Sequence, residues 1–259
     1  MGHLYADTDA KFRNEVLSNT KHLIERMRGA TAYLMREIDR LAPTQGTEHS
    51  VDTTVMKDLL QAHEDFLLWF IQFLFEELVP TASYQRHITS LRALILLLHS
   101  GIQKEISSTD RLGQVADHAT TWPYDVDIFT PMSTRLLLDL LLDPFEDVRS
   151  GASMLVRMAH RRNFESADDS SETHDDLYIL TEFIDRAKEL SKRTGRADYA
   201  DGVARAYEIL YRLQGSTEAR MVLLRDLISN LESKVEIAKK DLTNAVLIAP
   251  IHGDFAAMK

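Results

Sequence analysis

The chain has 259 residues, 44% of them hydrophobic, with 10 glycines, 6 prolines, no cysteine and a formal net charge of −10. That is ample for a sizeable core, and the scarcity of glycine and proline fits an all-α protein. The missing cysteine excludes disulfides, thiolate metal sites and cysteine nucleophiles together, and the acidic balance disfavours a strongly basic nucleic-acid-binding domain.

The opening segment, MGHLYADTDAKF, lacks the basic-then-apolar pattern of a signal peptide. Residues 9–41 are predicted as one long helix: Phe12, Val16, Leu23, Met27, Ala30, Leu34, Ile38 and Leu41 keep a period near 3.6, with Asp7, Thr8 and Asp9 as caps. A polar linker ends it at Pro43. The next helix is 55–79; its second half, FLLWFIQFLFEELV, is apolar nearly all round and is expected to be the most buried segment. Its apolar run from Phe66 to Phe75 is too short to span a bilayer and is broken by Gln72, so no membrane contact is expected. Pro80 stops this helix, and Thr81 or Ser83 caps one over 84–104. Residues 105–130 are expected as a long loop that Trp122, Pro123, Tyr124 and Phe129 pin to the surface.

Two helices follow with almost nothing between them. The first, 131–142, ends in a near-solid leucine run; Asp143 and Pro144 interrupt it. The second, 145–161, begins with Glu146 and Asp147 at its positive end, then sets Val148, Ala152, Leu155, Val156 and Ala159 on one face. Residues 163–176, with six acids and no lysine or arginine, are expected as a second loop. Helices then follow over 177–193, with Gly195 as C-cap, over 199–213 and over 217–249. Paired in order, these elements make antiparallel hairpins, each with one unburied face, so they predict neighbours. The expected fold is an all-α, right-handed α-solenoid of HEAT/armadillo-like antiparallel helical hairpins, one repeat domain over 1–259. The chain ends on Ile251, Phe255, Ala256 and Met258, apolar where a capped solenoid presents a polar face, and further repeats of a longer chain are expected.

Chemistry-bearing patterns are sparse. None of the ten histidines falls in HExxH, and no two sit three to five residues apart. Asp139, Asp143, Glu146 and Asp147 cluster at the Asp-Pro turn, where capping and the helix dipole account for them better than catalysis does. Asp147 and Arg149 are expected to bridge to the next repeat's turn, and Asp201 and Arg205, one helical turn apart, to form an analogous local pair. Gly151 and Gly202 lie inside helical patterns with no preceding strand, so they are expected to permit close helix contact rather than cradle phosphate. No catalytic residue, metal site or cofactor is expected. Basic residues gather at two helix ends, Arg157, Arg161 and Arg162 on one and Lys192, Arg193 and Arg196 on the next. Most of that is dipole complement; the remainder is a positive ridge suited to RNA phosphates or an acidic partner.

Four stretches carry a family resemblance: PTASYQRHITSLRALILLL, DPFEDVRSGASMLV, GRADYADGVARAYEIL and APIHGDFAAMK, in that order from residue 80 to the C-terminus. Together they resemble the THADA family, whose fungal members are auxiliary subunits of a tRNA ribose 2′-O-methyltransferase. The resemblance implies a non-catalytic cytoplasmic scaffold. The methyltransferase partner would carry the S-adenosylmethionine site and modify the tRNA anticodon loop, and the scaffold would help choose nucleotide 32. The alternative reading is a generic helical-repeat adaptor between proteins, with no RNA role.

Overall fold

A computed structural model describes residues 2–41, 50–102, 122–124, 126–165, 172–214, 216–225 and 227–228. Among these residues every regular element is helical. Contacts divide the chain into two compact units, Met1–Leu213 and Gln214–Lys259.

In the first unit the helices are α1 (Gly2–Tyr5), α2 (Ala10–Leu41), α3 (Ser50–Glu76), α4 (Tyr84–His99), α5 (Pro131–Asp139), α6 (Glu146–Glu165), α7 (Glu172–Thr194) and α8 (Ala197–Leu213). A single 3-10 turn, Leu140–Leu142, follows α5. The hairpins are α3/α4, α5/α6 and α7/α8, and α2, α4, α6 and α8 pack one against the next in a row. Helix α5 packs on α7 in a second row. This is a helical-repeat stack, with the second helix of each hairpin in the first row.

The Asp-Pro turn is built as sequence rules require. Leu137, Leu138, Leu140 and Leu141 are buried, each contributing about 1.5–3 kcal/mol of apolar burial. Asp143, held extended by the following proline, has ψ 141°. The leucine run thus ends as a tightened turn three residues long rather than continuing as α-helix to 142. At the other end of α5, Pro131 occupies its first turn and Thr130 accepts a hydrogen bond from the Ser133 amide.

Helix α3 is not the most buried segment: Leu68 and Trp69 are 48% and 47% exposed. A helix packed on two neighbours buries only one side, so a run apolar all round leaves a face over. The most buried stretches are α4 and the leucine turn instead. The aromatic residues before α5 do not pin a loop to the surface. Trp122, Tyr124, Ile128 and Phe129 are buried in the main core. The Trp122 indole donates to Ser100 Oγ at 3.1 Å, and the Tyr124 hydroxyl donates to the Leu60 carbonyl of α3 at 2.9 Å. Helix α4 stops at His99, where Gly101 takes φ 79°. The acidic loop shrinks as well, because α6 runs to Glu165 and α7 begins at Glu172. Acidic composition does not separate a solvated loop from a helix start, whose positive end accepts carboxylates.

In the second unit, residues 217–225 and 227–228 are helical. Ser216 Oγ accepts from the Ala219 amide at 3.1 Å, and the Arg220 guanidinium donates to the Gln214 carbonyl at 2.8 Å. Residues 229–249 of the last expected helix, and the closing HGDFAAMK, lie outside the described residues, as does 103–121 of the long loop.

Candidate functional site

The Asp-Pro turn between α5 and α6 is the polar centre of the first unit. Asp143 is used three ways. Its Oδ1 accepts from the Phe145 amide at 2.8 Å, closing the turn. Its backbone carbonyl accepts from Arg149 Nη1 at 2.7 Å. Its Oδ2 lies 3.0 Å from Nδ1 of His87, a buried residue of α4 in the preceding repeat. The other ring nitrogen, Nε2, lies 3.0 Å from the Val79 carbonyl. Both partners are acceptors, so a ring satisfying both donates from both nitrogens and carries a positive charge. Burial works against that charge, but the hydrogen bonds to Asp143 and Val79 and the Asp143 charge outweigh it and hold the imidazole above its ordinary value of 6.5.

The sign of the pH effect follows. A group whose folded value is raised contributes stability that is full below the unfolded value of 6.5 and is lost as pH rises through the folded value. In urea unfolding, the gap between the native chain and His87→Gln is therefore expected to be widest below pH 6.5 and to narrow above it. A gap that widens with rising pH would remove the charged assignment.

On the side of the following repeat, Arg149 is the centre. Its Nε donates to Asp201 of α8 at 2.8 Å, Nη1 also reaches the Pro144 carbonyl at 3.1 Å, and Nη2 donates to Glu146 at 2.7 Å. Arg205 donates to the same Asp201 oxygen at 2.8 Å and to Glu146. Burial raises the Asp201 carboxyl, but the guanidiniums of Arg205 and Arg149 overcome it and hold the group below its usual range. Asp147 points the other way: it accepts from the Tyr84 hydroxyl of α4 at 3.2 Å, beneath a Tyr84–Phe145 ring contact of 4.5 Å. Of the pair expected to face the next repeat, Arg149 faces forward and Asp147 back. The local Asp201–Arg205 pair exists, and Arg149 joins it.

Two glycines let these helices approach. A Cβ on Gly151 of α6 would stand 3.3 Å from the Leu91 side chain of α4, and one on Gly202 of α8 would stand 2.3 Å from the Leu141 carbonyl. Between α4, α6 and α8 runs an open groove of about 930 Å³, apolar at Ile88, Leu91, Met154 and Ile209 and lined too by Arg92, Arg157 and Arg212.

The six basic residues fall into two groups. Residues 201–208 of α8 track residues 146–157 of α6 from Arg149–Asp201 to Arg157–Glu208, so the two helices run parallel. Helix α7 precedes α8 by a short turn, so Lys192 and Arg193 at its C-terminus, and Arg196 in the turn, lie at the Asp-Pro end of the repeat. Arg157 lies three turns down α6, so the two groups form no single ridge. Arg157 is held by Ser153 and, at 3.7 Å, by Glu208. Arg196 pairs with Asp198 and sits 4.6 Å over the Tyr199 ring. Lys192 and Arg193 are exposed. The side chains of Arg161 and Arg162 lie outside the described residues.

The His87–Asp143 pair escaped the sequence reading, although a signal for it exists: His87, Leu91, Leu94 and Leu98 share the buried stripe of α4. Among the described residues, no group of three or more His, Asp or Glu side chains could hold a metal ion, and no helix is long and apolar enough to cross a membrane.

A family model described as Trm732, TPR repeats, matches residues 1–150. TPR units, like HEAT units, are stacked helix pairs. The tRNA (32-2′-O)-methyltransferase regulator trm732 of Schizosaccharomyces pombe is 24% identical over 233 residues, which cover 89% of this chain and 14% of that protein. The chain thus spans a small part of the length of this curated relative. No solved structure matches it.

Proposed function

Because the chain belongs to the Trm732 TPR-repeat family, we propose that it serves as a non-catalytic helical-repeat scaffold in the regulation of tRNA ribose 2′-O-methylation at nucleotide 32. A partner methyltransferase supplies the cofactor site and the chemistry, and the protein works in the cytoplasm with tRNA. The observation that carries this reading is the family match, joined to a relative that is named as a regulator of such an enzyme. The network around Asp143 supports it, because its polar groups are spent on closing the turn and joining repeats. Exposed Lys192 and Arg193, with Arg161 and Arg162, are the proposed contacts to tRNA phosphate or an acidic partner, Arg157 and Arg196 contributing less because each already has an acidic partner.

The test is genetic and biochemical. Deleting the gene is expected to abolish ribose methylation in the anticodon loop, and the longer protein is expected to co-purify with a methyltransferase and tRNA. Unchanged methylation on deletion would sink the reading. The acidic net charge of −10 favours a second one, an adaptor between proteins with no RNA role. RNase-insensitive recovery of protein partners alone, with methylation intact, would select it.

A further inference from the structure

Helix α3 carries an apolar stripe that α2 and α4, the helices packed on it, leave largely exposed. Val55, Leu59, Ala62, Phe66, Trp69 and Phe73 follow one another at alternating steps of four and three residues, the spacing of a coiled-coil seam. Such a stripe stays on one side of a helix for about 27 Å. Val55 is 61% exposed, Leu59 46% and Trp69 47%; Ala62 is exposed, and Phe66 and Phe73 are half-buried. The rings form a continuous ladder, with Phe66 to Trp69 at 5.7 Å and Trp69 stacked on Phe73 at 5.8 Å. Tyr5 of α1 closes one end by an edge contact on Phe73 at 5.3 Å.

The flank of the stripe is charged. Asp58, Asp65 and Glu76 are exposed and share one side of it by helical geometry. Lys57, the only lysine or arginine on α3, lies about 100° further round. An exposed tryptophan in a long apolar seam is the composition of an interface centre rather than of a solvated face. The acidic row chooses among occupants: it repels nucleic acid, and it repels a second copy of the same seam in a chain of net charge −10.

We propose that α3 is a docking seam for an amphipathic helix of another protein, one with an apolar stripe and a lysine- or arginine-rich flank. Trp69 is the anchor, and Asp58, Asp65 and Glu76 set the charge preference. This stands on the exposed face of α3 and does not depend on the methylation reading.

The test uses the full chain and two labelled helical peptides about 20 residues long, matched to the seam. Both carry the same leucine stripe; one has lysine flanks and the other glutamate flanks. Fluorescence anisotropy is expected to give binding of the lysine peptide about tenfold tighter or more, with the preference fading as salt rises. Trp69→Glu is expected to weaken that binding by about tenfold or more while the circular dichroism stays helical. The double change D58K/D65K, confined to exposed positions, is expected to reverse the preference, and it decides the matter if Trp69→Glu does not fold. Equal affinity for the two peptides, no binding of either, or sedimentation showing the chain paired with itself through this seam would overturn the proposal.

Discussion

Replacing Arg149 by methionine is expected to lower stability by about 3 kcal/mol in urea unfolding, the low end of the range for removing one partner of a buried ion pair, because Arg149 is buried while Glu146 and Asp201 are themselves partly exposed. Arg149 is only 8% exposed and donates to Asp143 O, Pro144 O, Glu146 and Asp201. Methionine fills the volume but supplies no donor. Two turn carbonyls and part of two carboxylates then lose their partner. Arg205 still holds Asp201 and Glu146, which places the effect towards the lower end. Arg149→Lys recovers only a part, because a single ammonium cannot spread over four acceptors as a guanidinium fork does. Arg212 is the control: its pair with Glu208 is exposed on both sides, so Arg212→Met is expected to cost less than about 1 kcal/mol. If the two methionine variants lose equal stability, Arg149 does not hold the repeats together. A double-mutant cycle with Asp201→Asn reads the same question as a coupling energy, expected above about 0.5 kcal/mol.

A single methyl group at Gly202 is expected to cost about 3 kcal/mol. The added Cβ would lie 2.3 Å from the Leu141 carbonyl and 2.9 Å from Leu142 Cδ2. The first neighbour is backbone, locked in the tightened turn, so α8 itself must move away. Overpacking of this kind costs about 1–3 kcal/mol and sometimes more, whereas the helix gains at most about 1 kcal/mol from replacing glycine by alanine. The clash wins. It also draws Asp201 and Arg205 away from Arg149 and Glu146, which adds to the loss. Gly29 offers the opposite outcome. A Cβ there meets nothing within 4 Å on an exposed side of α2, so Gly29→Ala is expected to stabilise by up to about 1 kcal/mol. Thermal unfolding of the two variants should move in opposite directions. A Gly202→Ala protein as stable as the native chain would show that α8 does not rest on the turn.

The helices were legible in the sequence wherever one apolar stripe alternated with charge. Helix α2 was read within a residue of its bounds, and α8 within two, at Ala10–Leu41 and Ala197–Leu213. The α7 stop was legible too: Gly195 has φ +65° and its amide bonds the Ser191 carbonyl at 2.9 Å. The reading failed where apolarity lost its periodicity. FLLWFIQFLFEELV gives no preferred face, so its exposed seam could not be told from its buried side. Trp122 and Tyr124 failed for a related reason. A non-helical segment has no period from which burial can be inferred, and only the space it fills shows that it belongs to the core.

The candidate site was half legible. Asp147, Arg149, Asp201 and Arg205 were found because charges beside a proline turn or one helical turn apart make a local pattern. Their partners were not, because they are chosen across space. His87 and Asp143 lie 56 positions apart, and Arg149 and Asp201 52.

By itself the sequence determined the helical elements, the Asp-Pro break and the all-α repeat class, since each follows from steric and periodic rules that act within a few residues. Tertiary structure alone decided which side chains meet. That depends on how closely and at what rotation the helices pack. Here Gly202 lets α8 settle onto the leucine turn and Gly151 lets α6 settle onto α4, and those approaches bring Arg149 within reach of Asp201 and Asp143 within reach of His87.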